Sequence, residues 1–173
     1  ELEDVAYAIP DRTLFTGIHL MIKPGIRVGL VGPNGSGKTT LLGIVMDVLK
    51  ANSGEFLWFG QPGGSPEQRK KIGSLLETPN FYSYLTAVDN LKITQAISGR
   101  GNKKEIDEVL KKVNLHQRRF SSFKSYSLGM KQRLAIGAAL LGSPKVLVLD
   151  EPTNGLDQVG ISEIRNLIIE LKD

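Results

Sequence analysis

The sequence contains no cysteine. That excludes a disulfide framework and any thiolate metal site, and it suits a reducing compartment such as the cytoplasm. No apolar run approaches the roughly 18 residues that cross a bilayer, so nothing reads as a membrane-spanning helix. The acidic opening E-L-E-D-V is not a signal peptide. Charge of one sign is scarce too: 22 basic against 18 acidic residues leave +4, too mild an excess to argue for nucleic acid. Internal repeats and low-complexity tracts are missing. An initiator methionine is missing as well, and the last residues, I-I-E-L-K-D, stop on a helical pattern without a cap. The chain therefore reads as part of a longer polypeptide.

What is present is a globular composition over 173 residues, 40% hydrophobic and 23% charged, enough for one domain with a core of its own. The chain is organised around residues 26–49, I-R-V-G-L-V-G-P-N-G-S-G-K-T-T-L-L-G-I-V-M-D-V-L. Val28 to Val31 reads as a buried strand. Gly32, Pro33, Asn34, Gly35, Ser36 and Gly37 form a glycine-rich turn. Lys38, Thr39 and Thr40 then open a helical run with Leu41, Leu42, Val45, Met46 and Leu49 on its apolar face. This is G-x-x-x-x-G-K-[ST], the Walker A or P-loop pattern. Gly35 and Gly37 let the backbone curl and aim N–H groups at a phosphate. The following helix adds its unpaired amides and positive dipole end. Lys38 is expected on the β- and γ-phosphates, and the Thr39 hydroxyl on Mg²⁺.

Around this centre, residues 1–24 read as strands, with Ile18, Leu20 and Ile22 alternating against His19, Met21 and Lys23, and with a turn at Pro10-Asp11-Arg12. Glu55 to Phe59 is another strand, whose lone Trp58 reads as sheet packing. Ile72 to Leu76 is a short apolar strand. From Thr78 to about Ser125 the pattern is helical and more polar. There Ile106, Val109, Leu110 and Val113 share one face, and Lys103, Lys104, Lys111 and Lys112 lie elsewhere on the helix. The Arg118-Arg119 pair reads as solvated charge. Ser127 to Leu141 is a helix, Val146 to Leu149 a strand buried on both faces, and Ile161, Ile164, Leu167, Ile168 and Leu171 one face of a final helix. His19 and His116 read as surface or packing residues.

The strand V-L-V-L runs into Asp150 and Glu151, carboxylates at the C-terminal end of a parallel strand, where open sheets bind ligands. Alone, D-E-P-T could also be an acidic helix cap. Beside a P-loop, Asp150 is the Walker B candidate for holding Mg²⁺, and Glu151 is placed to orient or deprotonate the attacking water.

Three strings, G-P-N-G-S-G-K-T-T-L-L, Y-S-L-G-M-K-Q-R-L and V-L-V-L-D-E-P-T-N-G-L-D, resemble the nucleotide-binding domains of ATP-binding cassette (ABC) transporters over essentially the whole chain. The resemblance implies an α/β fold: a P-loop NTPase core with an N-terminal antiparallel β subdomain and an inserted α-helical subdomain. Residues 1–77 and 144–173 would form the β subdomain and core, and 78–143 the helical part. It implies an ATPase whose cofactors are ATP and Mg²⁺. A second copy of the domain would face it, offering its Ser127, Leu128 and Gly129 to the partner's γ-phosphate. It places Tyr7 on adenine, Asp157 in the D-loop and Glu77 at the Q-loop position, near Mg²⁺. A separate integral-membrane subunit would dock near Glu77 and the helical part, putting the protein on the cytoplasmic, inner face of the plasma membrane. No nucleic-acid partner is expected.

The chain departs from the family pattern in places. Leu128 and Met130 replace a glycine and a glutamine of the L-S-G-G-Q signature, Glu77 replaces a glutamine, and no histidine follows Asp150 to serve as the family's switch histidine. The stretch E-T-P-N-F-Y looks most like ATPases of lantibiotic self-protection and bacitracin-resistance exporters. The competing reading is a soluble ABC-type ATPase acting on nucleic acid or in assembly. Lys38 and Ser127 are too close in sequence for the coiled-coil insertion of the DNA-repair members. A GTPase is disfavoured because the N/T-K-x-D guanine pattern is missing, the nearest string, Asn102 to Glu105, ending in glutamate.

Overall fold

Alternation at the start of the chain produces a hairpin. β1 (Leu2–Ile9) and β2 (Arg12–Leu20) pair antiparallel across the turn at Pro10-Asp11, with Val5 opposite Ile18 and Tyr7 opposite Phe15. A computed structural model describes residues 1–76 and 81–171. It divides the chain into two units, Glu1–Arg69 and Lys70–Asp173.

In the first unit, α1 (Lys38–Val45) follows the glycine-rich turn, and then come β3 (Ser53–Trp58), β4 (Gln61–Pro62) and the short α2 (Pro66–Arg69). The strands form one antiparallel sheet in the order β2-β1-β3-β4. Leu41 and Ile44 of α1 are buried against Leu2 and Val5 of β1, with Tyr7, Phe15, Ile18, Leu20 and Phe56 packed around them. The helix stops earlier than its apolar pattern suggests. Asp47 takes a left-handed φ of +59°, which ends helical hydrogen bonding and leaves Leu49 beyond the last turn. Trp58 packs as expected, half-buried, and its indole N–H donates to the Val45 carbonyl at 2.7 Å.

The expectation for residues 28–31 is overturned. Val28 to Val31 is not a buried strand: it joins no ladder among the described residues, and Val31 is 95% exposed. An apolar run becomes a buried central strand only where neighbouring strands and covering helices flank it. No described strand pairs with this segment.

The second unit carries β5 (Ile72–Leu75), α3 (Ala87–Ser98), α4 (Lys103–Lys112), α5 (Leu128–Leu140), β6 (Val146–Leu149) and α6 (Gln158–Glu170). Short 3-10 turns stand at His116–Arg118 and Phe123–Ser125. β5 and β6 are parallel and in register from Ile72↔Val146 to Leu75↔Leu149. β6 is half-buried along its length instead of buried on both faces, since β5 is its one ladder partner among the described residues. The helical periodicities hold. Ile106, Val109, Leu110 and Val113 are buried, while Lys111 stays outside and pairs with Asp107 at 2.7 Å. Ile164 and Leu167 of α6 and Leu75 of β5 join the same core as Leu91, Leu110, Leu134 and Ile136. The protein is thus mixed α/β with an antiparallel N-terminal sheet, as expected.

Each helix start in this unit is capped by the side chain that precedes it. Thr86 accepts from the Asp89 amide at 3.1 Å, Asn102 from those of Lys104 and Glu105 at 2.9 and 3.3 Å, and Asp157 from that of Gly160 at 2.9 Å. His116 Nε2 lies 2.9 Å from Asp107, a packing role, and His19 is exposed beside Asp4.

Candidate nucleotide-binding site

The candidate residues fall in both units. In the first, the loop from Gly32 to Gly37 turns through left-handed φ values of +78° at Gly35 and +91° at Gly37, conformations open to glycine at little cost. Gly37 is also tightly enclosed: a Cβ there would lie 2.9 Å from the Phe15 ring and 3.3 Å from Leu14. As the N-cap of α1, Gly37 offers no side-chain acceptor, so the first-turn amides of Lys38, Thr39 and Thr40 have no cap of their own. The Lys38 ammonium lies over the loop and donates to the Gly32 and Pro33 carbonyls at 2.8 and 3.0 Å. Pro33, Asn34, Ser36 and Thr39 are exposed, and Thr40 is half-buried. Bare amides, a helix N-terminus and one lysine suit a polyphosphate.

Tyr7 is half-buried in the core of this unit, its ring centroid 6.3 Å from that of Phe15. Phe15 in turn touches the end of the loop. Two contacts to the loop escape sequence reasoning: Phe15 against Gly37, and Arg12, whose guanidinium donates to the Gly35 carbonyl. Period-two alternation marks Phe15 as sheet packing, and a turn arginine reads as solvated charge. Only the three-dimensional return of the hairpin onto the loop reveals either.

In the second unit, Asp150 extends the end of the parallel ladder, its amide donating to the Leu75 carbonyl at 2.7 Å. That puts its side chain at the C-terminal edge of β6, half-buried. Glu151 is exposed and takes a φ of +43°, a left-handed conformation unusual for a residue with a Cβ. The chain then turns through Thr153–Leu156 into α6, which Asp157 caps. Asp157 therefore has a local duty as a helix cap, whatever the D-loop place that the resemblance implies for it.

Ser127 caps α5, its hydroxyl oxygen accepting from the Met130 amide at 3.2 Å. Leu128 is exposed and reaches toward Gly155, and nothing lies within 4 Å of where a Cβ on Gly129 would be. The start of α5 is anchored from behind by Tyr126, whose hydroxyl donates to the Arg118 carbonyl at 2.8 Å. Burial pushes that phenol above its ordinary pKa, with Arg118 opposing. A cavity of about 320 Å³ opens beside α3, lined by Ser74, Phe81, Tyr82, Ile93, Ile97 and Arg100 among others. Arg100 fixes one wall by donating to the Ile72 and Ala138 carbonyls at 2.5 and 3.3 Å, and burial lowers its pKa. Glu77 lies outside the described residues.

A family model described as ABC transporter matches residues 15–154. The bacitracin transport ATP-binding protein BcrA of Enterococcus faecalis is 39% identical over 173 residues, covering 99% of this chain and 56% of that protein. The lantibiotic transport ATP-binding protein SrtF of Streptococcus pyogenes is 38% identical over 172 residues, covering 99% and 74%. These relatives fall where the E-T-P-N-F-Y stretch points. Among solved structures, an ATP-binding cassette captured as a dimer in a post-hydrolysis state with ADP and phosphate superposes with a TM-score of 0.82 at 28% identity, covering 99% of this chain and 82% of that one. The chain spans 56% of the length of its bacitracin relative. With a family model over most of its length and these likenesses over nearly all of it, the chain belongs to the ABC transporter family, as a P-loop ATP-binding domain.

Proposed function

We propose that this chain binds Mg-ATP and hydrolyses it to power an exporter of antimicrobial peptides or drugs through a separate membrane subunit. The observation that carries the reading is the start of α1, uncapped behind a glycine loop and guarded by Lys38. Similarity to bacitracin and lantibiotic transport ATP-binding proteins supports the substrate class proposed. Gly32 to Thr40 would cradle the phosphates, and Lys38 would exchange its two carbonyl partners for β- and γ-oxygens. Because its ammonium already rests on the loop, little side-chain freedom is lost in that exchange. Tyr7 would take the adenine side.

The Thr39 hydroxyl, Asp150 and Glu77 are the oxygens that would hold Mg²⁺. When bound, that ion supplies charge neutralisation on the β- and γ-phosphates. Glu151 would take the proton of the attacking water, or orient it. Ser127, Leu128 and Gly129 of a second copy would complete the site. Ser127 fits this because capping uses an oxygen lone pair and leaves its hydroxyl proton to donate. The division into a β-plus-core part (1–77, 144–173) and a helical part (78–143) is proposed on the same footing. The cavity beside α3 is where the membrane subunit would dock, with the protein held at the inner membrane face. Crosslinking in native membranes tests the reading. Capture of a protein with several membrane spans through Tyr82 or Ile97 supports it, whereas ATPase stimulation by DNA or ribosomes would move the protein to another class.

A further inference from the structure

The loop from Gly32 to Gly37 has to do two things with its peptide groups. N–H groups must face the bound phosphate, so carbonyls must face away, and each outward carbonyl needs a donor. Lys38 supplies two, at Gly32 and Pro33. It is also the residue that would leave them for the nucleotide. The Gly35 carbonyl is held differently, by the Arg12 guanidinium arriving from the start of β2. The guanidinium lies beside the loop: a Cβ on Gly35 would be 3.6 Å from Arg12 Nη2.

Gly35 is the place where such a restraint matters. At a φ of +78°, and with no Cβ, its peptide plane can rotate into alternative orientations at little cost. The Gly35 carbonyl and the Ser36 N–H belong to one planar peptide, so fixing the oxygen fixes the direction of the amide. The amide now donates to Pro33 at 3.2 Å, closing the turn. Arginine suits the task because it keeps its charge at any working pH and its planar fork donates without needing an acceptor of its own. The same hairpin touches the loop a second time through Leu14 and Phe15 at Gly37.

We infer that Arg12 is a positioning residue for nucleotide binding: it clamps the Gly35–Ser36 peptide so that the turn closed on Pro33 keeps the phosphate loop in shape, and it stays in place when Lys38 moves to the nucleotide. The inference rests on the reading of this loop as the phosphate site.

The test is calorimetric titration of Mg-ATP and Mg-ADP into the complete polypeptide, with Arg12→Ala, Arg12→Lys and Lys38→Ala. Arg12 is exposed at the first position of β2, so Arg12→Ala is expected to unfold within about 2 °C of wild type without nucleotide. It should bind ATP and ADP equally less tightly, by roughly ten-fold, the loss typical of a hydrogen bond to a charged group. Arg12→Lys should recover part of that loss, because one donor and the charge remain. A loss confined to ATP would make Arg12 a γ-phosphate contact and overturn the clamp, as would tighter binding in Arg12→Ala or a large drop in its unfolding temperature. If Lys38→Ala loses binding while Arg12→Ala keeps it, the clamp falls and the phosphate site stands. If both bind as wild type does, the phosphate site falls with it.

Discussion

The starts of α1 and α5 differ in what meets their first amides. At α5, Ser127 sits in extended backbone and its side chain accepts from the Met130 amide, so the helix satisfies part of its own N-terminus. At α1, the cap is Gly37 in a left-handed conformation, with no side chain to offer. Exchanging serine for glycine at an N-cap costs only a few tenths of a kcal/mol. For that small loss, the amides of α1 stay available to an external anion. Identical backbone physics therefore leaves a terminus that meets one of its own amides in one place and a terminus with no side-chain cap in the other, and a single side chain decides which.

The largest effect that could break this comparison is at Lys38. Lys38→Ala is expected to weaken Mg-ATP binding at least a hundred-fold, about 3 kcal/mol, by removing a charge-assisted contact that no neighbour replaces. Titration calorimetry reads it, and an affinity close to wild type would make the α1 terminus no different from the capped ones. Next comes Glu151→Gln, which should bind ATP normally and hydrolyse it about a hundred-fold more slowly. Single-turnover measurements on the complete polypeptide decide this, and unchanged turnover would leave Glu151 with no part in the chemistry.

Ser127 sharpens the comparison, because it has two duties that can be separated. Ser127→Ala should lose about 1 kcal/mol of stability with the cap, and ATP-dependent dimerisation as well. Ser127→Asp keeps a capping oxygen and places a negative charge where a partner's γ-phosphate would sit. It should regain the stability and still fail to dimerise. Thermal unfolding and size-exclusion chromatography with ATP, both in a Glu151→Gln background, separate the two duties; dimers in Ser127→Asp would confine Ser127 to capping.

The smallest expected effect is at the start of α3. There Asp89 is held below its ordinary pKa, first by the Thr86 hydroxyl, which donates to it at 2.7 Å, and then by Lys92. A depressed carboxylate stabilises the fold above its unfolded pKa of about 3.9, and that contribution is lost as pH falls through the lower folded value. Asp89 is 43% exposed, so solvent screens much of it. Asp89→Asn should show a slightly shallower loss of stability than wild type between about pH 5 and pH 2 in acid-unfolding curves. An identical slope would leave the Thr86 cap without help from charge.

Legibility follows the range over which the information acts. Val28–Val31 and Val146–Leu149 look alike in sequence, yet among the described residues only the second finds a strand partner, β5. Pairing is decided by residues far away in the chain, and periodicity carries no record of it. The α4 face was readable because its spacing is local, and its cap at Asn102 lies next to it. The phosphate loop was readable because its chemistry demands particular residues at fixed spacing. Arg12 and the left-handed φ of Glu151 left no local mark. Nor did the capping by Asp157, whose partner, Gly160, is bland in sequence.

Trp58 is the sole tryptophan, and its indole N–H is bonded to the Val45 carbonyl at the far end of α1. A helix of eight residues is about 12 Å long, so the proposed phosphate end and the indole are separated by little more than two turns. Indole emission follows the polarity and hydrogen bonding around the ring. The molecule therefore carries a native fluorophore on the opposite end of the helix that would receive the nucleotide. If phosphate binding draws α1 along its axis, the bond to Val45 lengthens and the emission shifts. If α1 is already seated, the spectrum stays put while the affinity is unchanged. Either way, the motion of a single helix is open to measurement in the unlabelled protein.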